Sequence, residues 1–209
     1  MSKLSLMIGG CLLLAASTAA CQQRPVSSGL SEAGNARMNE EMDRQVGLAA
    51  ASAYGWNPAD VVVEPLADTG GVGCRLLAVR SPGALPSHSR TLAVVDGEVL
   101  IPGNAGSLER VLGACGAQAD ADAWAEAVAA FGEGVPPGYV VRQEQEISSI
   151  AHRVAMQDGG YAFHPPRFAD VDGADRAVEF FLTDLEGGSL YEVRAVCDPQ
   201  GKVEVSISP

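Results

Sequence analysis

The side chains of this chain that are most suited to catalysis or metal binding are five cysteines, three histidines and a surplus of carboxylates. His88, His152 and His164 each lack a second metal ligand two, three or four positions further on, the spacing that chelating side chains need. The chain also lacks the G-x-S-x-G, H-E-x-x-H and phosphate-loop patterns. The sequence therefore predicts no metal, no cofactor and no catalytic residues.

Two further stretches carry potential ligand groups. The segment Asp170-Val171-Asp172-Gly173-Ala174-Asp175 has the acidic character of a calcium loop, but its glycine is fourth, whereas an EF-hand loop needs it sixth and a Glu twelfth. Gly70-Gly71-Val72-Gly73 leads into a predicted strand, so it offers a phosphate no helix N-terminus. Both stretches are interpreted as turns.

The N-terminal segment 1–20 has the organisation of a secretory signal peptide. Lys3 precedes a short apolar segment over residues 4–16, and four small residues over 17–20 would fit a signal peptidase. The apolar segment is shorter than the run of about 20 residues that a membrane-spanning helix needs. Export of the remaining chain is expected.

Cys21 follows directly, and Thr18-Ala19-Ala20-Cys21 resembles the lipobox of bacterial lipoproteins. The resemblance implies a diacylglycerol on the Cys21 sulfur, cleavage before Cys21 and acylation of the new amino group. Thr18 stands where Leu is more typical. Ile8-Gly9-Gly10-Cys11 fits the local pattern too, with almost no apolar run before it. The alternative is a plain secreted protein cut near Ala20.

Residues 21–35 are rich in Gln, Pro, Ser and Gly and poor in apolar side chains, a composition typical of a flexible tether. In Gram-negative lipoproteins an Asp after the modified cysteine favours inner-membrane retention. Gln22 occupies that position here, so the resemblance implies an outer-membrane protein that faces the periplasm.

After export, the thiols that remain are Cys74, Cys115 and Cys197, and an oxidising compartment permits a disulfide. The favoured pair is Cys74–Cys115, since both belong to the first half of the chain. Cys74–Cys197, Cys115–Cys197 and no bridge stay open. In the favoured pairing Cys197 would be buried and inert beside Val193 and Ala195.

The formal charge of −12 disfavours nucleic acid and anionic lipid as partners, because both need a basic surface. A charged protein partner would instead be basic. The acidity also has a simpler interpretation, which is that it keeps the protein soluble.

The pattern of the mature chain predicts an α+β fold in which helices pack on antiparallel sheet. Apolar residues at helical spacing mark a helix over 38–54. Extended segments follow at 61–63, 74–79 and 92–95, and Asp96-Gly97 predicts a two-residue hairpin turn. The first α+β unit is assigned to residues 36–118.

The second unit, residues 119–209, has a similar order. A helix face is marked by Ile147, Ile150, Ala151 and Val154, and strands are predicted at 177–183, 190–197 and 202–207. In the last strand apolar and polar residues alternate, as in a half-buried strand.

Two short helices are predicted between these segments. The first has Ser107 as its N-cap and an apolar face from Leu108 to Cys115, and the second is capped by Asp120 or Asp122, with an apolar face from Trp124 to Phe131. Tyr54-x-Trp56-x-Pro58 aligns with Tyr161-x-Phe163-x-Pro165. An internal duplication of residues 36–102 and 143–209 is therefore proposed, with chance similarity as the alternative. The element order resembles that of cystatin-like α+β units.

The function expected from these features is that of a lipid-anchored envelope protein with a non-catalytic binding or structural role. Its partners would be the membrane, through the lipid on Cys21, and a basic protein. The alternatives are a periplasmic inhibitor or immunity protein against a cell-wall hydrolase, and an enzyme with a dispersed active site.

Overall fold

The computed structural model describes residues 32–67, 73–81, 89–115, 119–147, 153, 156, 162–174, 176–184 and 189–209. Within these ranges, the three helices bounded below and two antiparallel sheets of four and five strands form an α+β fold, as the sequence predicts. The helices are α1 (Glu32–Tyr54), α2 (Ser107–Cys115) and α3 (Ala121–Phe131). The strands are β1 (Val62–Ala67), β2 (Cys74–Arg80), β3 (Arg90–Val95), β4 (Glu98–Leu100), β5 (Gly138–Val141), β6 (Arg167–Ala169), β7 (Arg176–Asp184), β8 (Leu190–Cys197) and β9 (Val203–Ser208).

The predicted signal peptide, Cys21 and most of the predicted tether lie outside the described residues. Helix α1 begins at Glu32, six residues before its predicted start, so the last four residues assigned to the tether are helical.

The first sheet is a meander of consecutive strands in the order β1-β2-β3-β4. Its tightest connection is the predicted hairpin, in which Val95 pairs with Glu98 and the backbone φ angles of Asp96 and Gly97 are 50° and 82°. Two positive φ values in succession define the turn type that matches the twist of paired strands. Helix α1 covers one face of this sheet, where Val46 and Ala50 lie fully buried against the strands.

The second sheet has the order β5-β7-β8-β9, and β6 also pairs with β7. Strands β6 to β9 therefore form a second four-stranded meander. The turn before β9 is held by Asp198, whose Oδ1 accepts hydrogen bonds from the amides of Gln200 at 2.8 Å and Lys202 at 2.9 Å. Strands β5 and β6 were not predicted from the sequence, because segments of four and three residues are too short to show an alternation of apolar and polar side chains.

Helix α3 lies between the two sheets. Seven of its eleven residues are buried, on every side of the helix, which is the pattern of a helix with packing partners all round. Its Ala residues allow both sheets to approach closely. Asp120 caps its N-terminus, because the Asp120 Oδ1 accepts from the Ala123 amide at 2.8 Å. One cluster of buried residues thus joins Leu76 and Val95 of the first sheet to Phe180 of the second.

The favoured disulfide is confirmed: Cys74 of β2 is bonded to Cys115 at the end of α2, with a Cα–Cα distance of 5.2 Å. Helix α2 is thereby fastened to the first sheet on the face opposite α1. Cys197 is buried on the same face of β8 as Val193 and Ala195, as expected, and its thiol lies 3.6 Å from the Asp198 carbonyl.

The internal duplication proposed from the sequence would relate the two meanders, which have the same strand order. Each meander also has a separate apolar cluster on its outer face, away from the shared core. Tyr54 and Trp56 pack with α1 against the first sheet, whereas Phe163 stacks on Phe181 of the second at 5.7 Å between ring centroids. These aromatic residues contribute to two separate apolar clusters. Tyr161 and most of the helix predicted from Ile147 to Val154 lie outside the described residues.

Candidate functional site

A groove of about 860 Å³ borders β9 and is here called the β9 groove. Its walls are the β4–α2 connection at 103–106, the start of α2 at 108–109, the end of α3 with the following turn at 130–134, and residues 202–205. Three distant parts of the chain therefore form it, all positioned by the packing of α2 and α3 beside the second sheet.

The wall formed by the end of α3 depends on a close backbone approach. The amide of Gly132 donates to the Val128 carbonyl at 2.8 Å and ends the helix. A Cβ at position 132 would lie only 2.6 Å from that carbonyl oxygen and from the Val135 side chain. The chain can therefore turn sharply at Gly132 and open the groove beside Phe131.

The chemistry of the β9 groove is that of a binding surface. Leu108 and Phe131 are buried at its floor, and three carboxylates, Glu109, Glu133 and Glu204, line its walls. The cation in the lining is Lys202, whose Nζ lies 3.1 Å from the Glu204 Oε1. The lining contains neither a cysteine nor a histidine. A groove of this composition would attract a positively charged ligand with apolar side chains.

Strand β9 also presents an open edge to this groove. Among the described strands it pairs with β8 alone, from Cys197↔Val203 to Glu192↔Ser208. The amide of Asp198 donates to the Lys202 carbonyl at 2.9 Å, which fixes the alternation of the ladder that follows. In an antiparallel ladder every second residue forms backbone hydrogen bonds with the neighbouring strand. The backbone groups of Glu204, Ser206 and Ser208 therefore bond to β8, whereas those of Val203, Val205 and Ile207 point away from it.

A second cavity, of about 290 Å³, lies where the two halves of the chain meet and is lined by Tyr54, Arg90, Glu126 and Val135 among others. Glu126 is buried, and this burial raises the pKa of its carboxyl although Arg142 opposes the shift. The Arg142 Nη2 donates to the Glu126 Oε1, and its Nε donates to the Asp122 Oδ1 at 3.1 Å. The Glu126 carboxylate is therefore engaged in a structural ion pair.

Of the site residues predicted from the sequence, Cys74 and Cys115 are joined in the disulfide, whereas Cys21 lies outside the described residues. Of the histidines, His88 and His152 also lie outside the described residues. The His164 Nδ1 lies 2.9 Å from the Pro165 carbonyl oxygen. In the described part of the chain no three His, Cys, Asp or Glu side chains are grouped closely enough to hold a metal ion.

The acidic stretch that follows β6 is a turn, as interpreted from the sequence. The amide of Ala174 donates to the Val171 carbonyl at 3.1 Å, and Gly173 has a φ of 78°. The turn connects β6 to β7 in the second sheet, and Asp175 lies outside the described residues.

The β9 groove itself was missed by sequence reasoning. The alternation in β9 and the glycine-rich break after α3 were both visible, but their proximity was not. They are about 70 residues apart, and only the packing of α3 on the second sheet places them side by side.

None of the helices in the described ranges is both long and apolar enough to cross a bilayer. Comparison with known proteins gives no further assignment, because no protein-family model, no curated protein and no solved structure matches the chain.

Proposed function

We propose that this protein is a lipoprotein of the bacterial cell envelope that is anchored through Cys21 and binds a protein partner without catalysing a reaction. The observation that carries the binding role is the β9 groove: a cavity of about 860 Å³ borders an open strand edge and is lined by carboxylates and apolar side chains. Catalytic sites and sites for small substrates instead bring together polar side chains with perturbed pKa values.

The anchoring role is supported by the resemblance of Thr18–Cys21 to a lipobox and by the disulfide. A Cys74–Cys115 bridge is favoured in an oxidising compartment such as the periplasm. The chain from Cys21 to Glu32, if fully extended, would reach about 35 Å from the membrane surface. Several acyl chains would hold the protein durably, since each buried CH₂ contributes about 0.8 kcal/mol.

The anchor is tested by Cys21→Ala, with Cys11→Ala as the matched control. Cys21→Ala should move the protein from the membrane fraction to the soluble fraction, and Cys11→Ala should leave it in the membrane fraction. Palmitate incorporation that persists in Cys21→Ala, or an N-terminal fragment of the wild type with the mass of an unmodified peptide, would refute the anchor.

The binding role is tested with a photo-crosslinking amino acid placed at the exposed Ala105 in the wall of the groove, in living cells. The control position is the exposed Ala59, which lies in the short turn after α1. We expect a discrete crosslinked product from position 105 and none from position 59. Identical patterns at the two positions would contradict a binding role for the groove.

A second candidate function is that of an inhibitor or immunity protein against a basic cell-wall hydrolase. It is favoured by the carboxylates Glu109, Glu133 and Glu204 in the groove together with the charge of −12. Equimolar protein should then suppress wall hydrolysis by a basic enzyme. Undiminished hydrolysis with a complex formed would leave the structural binding role as the better account.

A further inference from the structure

We propose that the outer edge of β9 accepts an extended, basic segment of the partner protein as an added strand. This inference rests on the binding function proposed above and names the chemistry of the partner. In such a complex the partner's backbone pairs with β9, and its alternate side chains enter the β9 groove.

The backbone of β9 supplies the first argument. Val203, Val205 and Ile207 direct their amide and carbonyl groups away from β8, and no other described strand pairs with them. These groups form a regular row without a proline or a bulge. An extended segment would satisfy them in the way a neighbouring strand does.

The other sheet edges within the described residues are less suited to this role. Strand β1 contains Pro65 and an irregular register between Pro65 and Ala67, which interrupt its row of donors. Strands β4, β5 and β6 have three, four and three residues. Strand β9 has six residues in regular pairing, so it offers the longest uninterrupted edge of the described sheets.

The side chains of β9 supply the second argument. On the inner face of the sheet, Val193 and Ala195 of β8 are fully buried, whereas their partners Ile207 and Val205 are only partly buried. The inner row of β9 therefore keeps apolar surface beside the groove. Apolar side chains of an added strand would cover this surface and remove it from water.

The charges of the groove supply the third argument and select the partner. Glu109, Glu133 and Glu204 line the groove with Lys202 as the opposing cation, and Lys202 is already engaged by Glu204. Lys or Arg side chains of an added strand would complement these carboxylates, and an acidic segment would be repelled. The overall charge of −12 would also steer a basic protein toward this surface.

The test uses the full chain in detergent micelles and a peptide of about eight residues that alternates Lys and Val, since this length matches a typical strand. Two control peptides are an alternating Glu and Val peptide and an alternating Lys and Pro peptide, which keeps the charge but loses half of its amide donors. Fluorescence anisotropy should show binding of the Lys–Val peptide and about tenfold weaker binding of both controls.

Variants of the protein locate the site. Val205→Pro removes an outward amide that does not bond to β8, and Val205→Thr is its control, with the amide retained. The double variant Glu109→Lys, Glu133→Lys reverses the charge of the groove. Its control is Glu40→Lys, which reverses the charge of an exposed side chain on α1. We expect Val205→Pro and the double variant to weaken binding of the Lys–Val peptide by about tenfold or more. Val205→Thr, which keeps the amide but loses apolar surface, should weaken binding less than Val205→Pro does, and Glu40→Lys should leave the affinity within about twofold.

Two results would overturn the added-strand proposal: equal affinity for the Lys–Val and Lys–Pro peptides, or equal affinity of the wild type and a folded Val205→Pro variant. If thermal unfolding shows that the Val205→Pro variant is not folded, the comparison of the Lys–Val and Lys–Pro peptides on the wild type still tests the proposal. Failure of this proposal is distinct from failure of the binding function. If only the added-strand proposal fails, the crosslink from position 105 in cells persists in the double variant. If the binding function itself fails, that crosslink is absent already from the wild type.

Discussion

Glu126 of α3 and Arg142, which directly follows β5, form an ion pair across the boundary between the central helix and the second sheet. The Glu126 side chain is 11% exposed and the Arg142 side chain 40% exposed, so the carboxylate depends on its partner more than the guanidinium does. Arg142 also bonds to Asp122, and its own amide donates to the Glu146 Oε2 at 2.6 Å. The pair thus fixes α3 against the edge at β5.

Removal of the cation should destabilise the protein. Arg142→Ala leaves the Glu126 carboxylate buried without its partner, and we expect a loss of about 2–3 kcal/mol in the free energy of unfolding, near the lower end for broken buried pairs because Arg142 is partly exposed. Urea denaturation measures the loss. The double variant Arg142→Ala, Glu126→Gln should regain part of it, and a double variant as unstable as Arg142→Ala alone would contradict the explanation.

The buried Glu126 should also give stability a distinctive pH dependence. Burial, partly offset by Arg142, raises the pKa of Glu126 above its usual value of 4.5 in the folded protein. The folded state then retains a proton that the unfolded state loses, so stability from this group is full below about pH 4.5 and falls as the pH rises toward the raised pKa.

This dependence is isolated by comparison with Glu126→Gln, which does not titrate. The difference in unfolding free energy, wild type minus variant, should decrease as the pH rises above about 4.5 and level off above the raised pKa. Subtraction is needed because other carboxylates act in the opposite direction: hydrogen bonds from Arg44 and then Gln45 lower the pKa of Glu41 to about 2. A difference that increases with pH would show that the pKa of Glu126 is lowered instead.

Loss of the disulfide should cost stability through the unfolded state. Cys74 and Cys115 are separated by 41 positions, and closing a loop of that size contributes about 4 kcal/mol in the chain-entropy description. The double variant Cys74→Ala, Cys115→Ala should therefore unfold at lower urea concentration, whereas Cys197→Ala leaves the loop closed. Mass spectrometry of non-reduced peptides should contain the Cys74–Cys115 pair, and a peptide that links Cys197 to either residue would refute it.

Two glycines should respond to alanine in opposite directions. Gly97 has a φ of 82° in the β3–β4 turn, so Gly97→Ala should destabilise by about 1 kcal/mol. Gly113 lies in α2, where an added Cβ meets nothing within 4 Å, so Gly113→Ala should stabilise by up to about 1 kcal/mol. Thermal unfolding compares both variants with the wild type. A shift of the same sign for both would contradict the turn conformation.

Much of the local structure was predictable from the sequence, because the signals lie within a few residues of one another. Asp96-Gly97 specified its turn, and the alternation from Val203 to Ile207 specified a half-buried strand. A cap by Asp120 or Asp122 was expected for α3, and Asp120 is the residue that forms it. The pairing of Cys74 with Cys115 was favoured over its rivals for a related reason, since both cysteines belong to the first half of the chain.

Which of these elements contact one another depends on the tertiary structure. Helix α3 packs between both sheets, and this packing brings Glu126 to Arg142 and places Gly132 beside β9. No pattern of period 2 or 3.6 encodes such meetings, since they follow from the burial of one shared apolar core. The sequence alone therefore determined most of the elements, apart from the short strands β5 and β6, and the pairing expected of the cysteines, whereas the groove and its open strand edge arose from long-range packing.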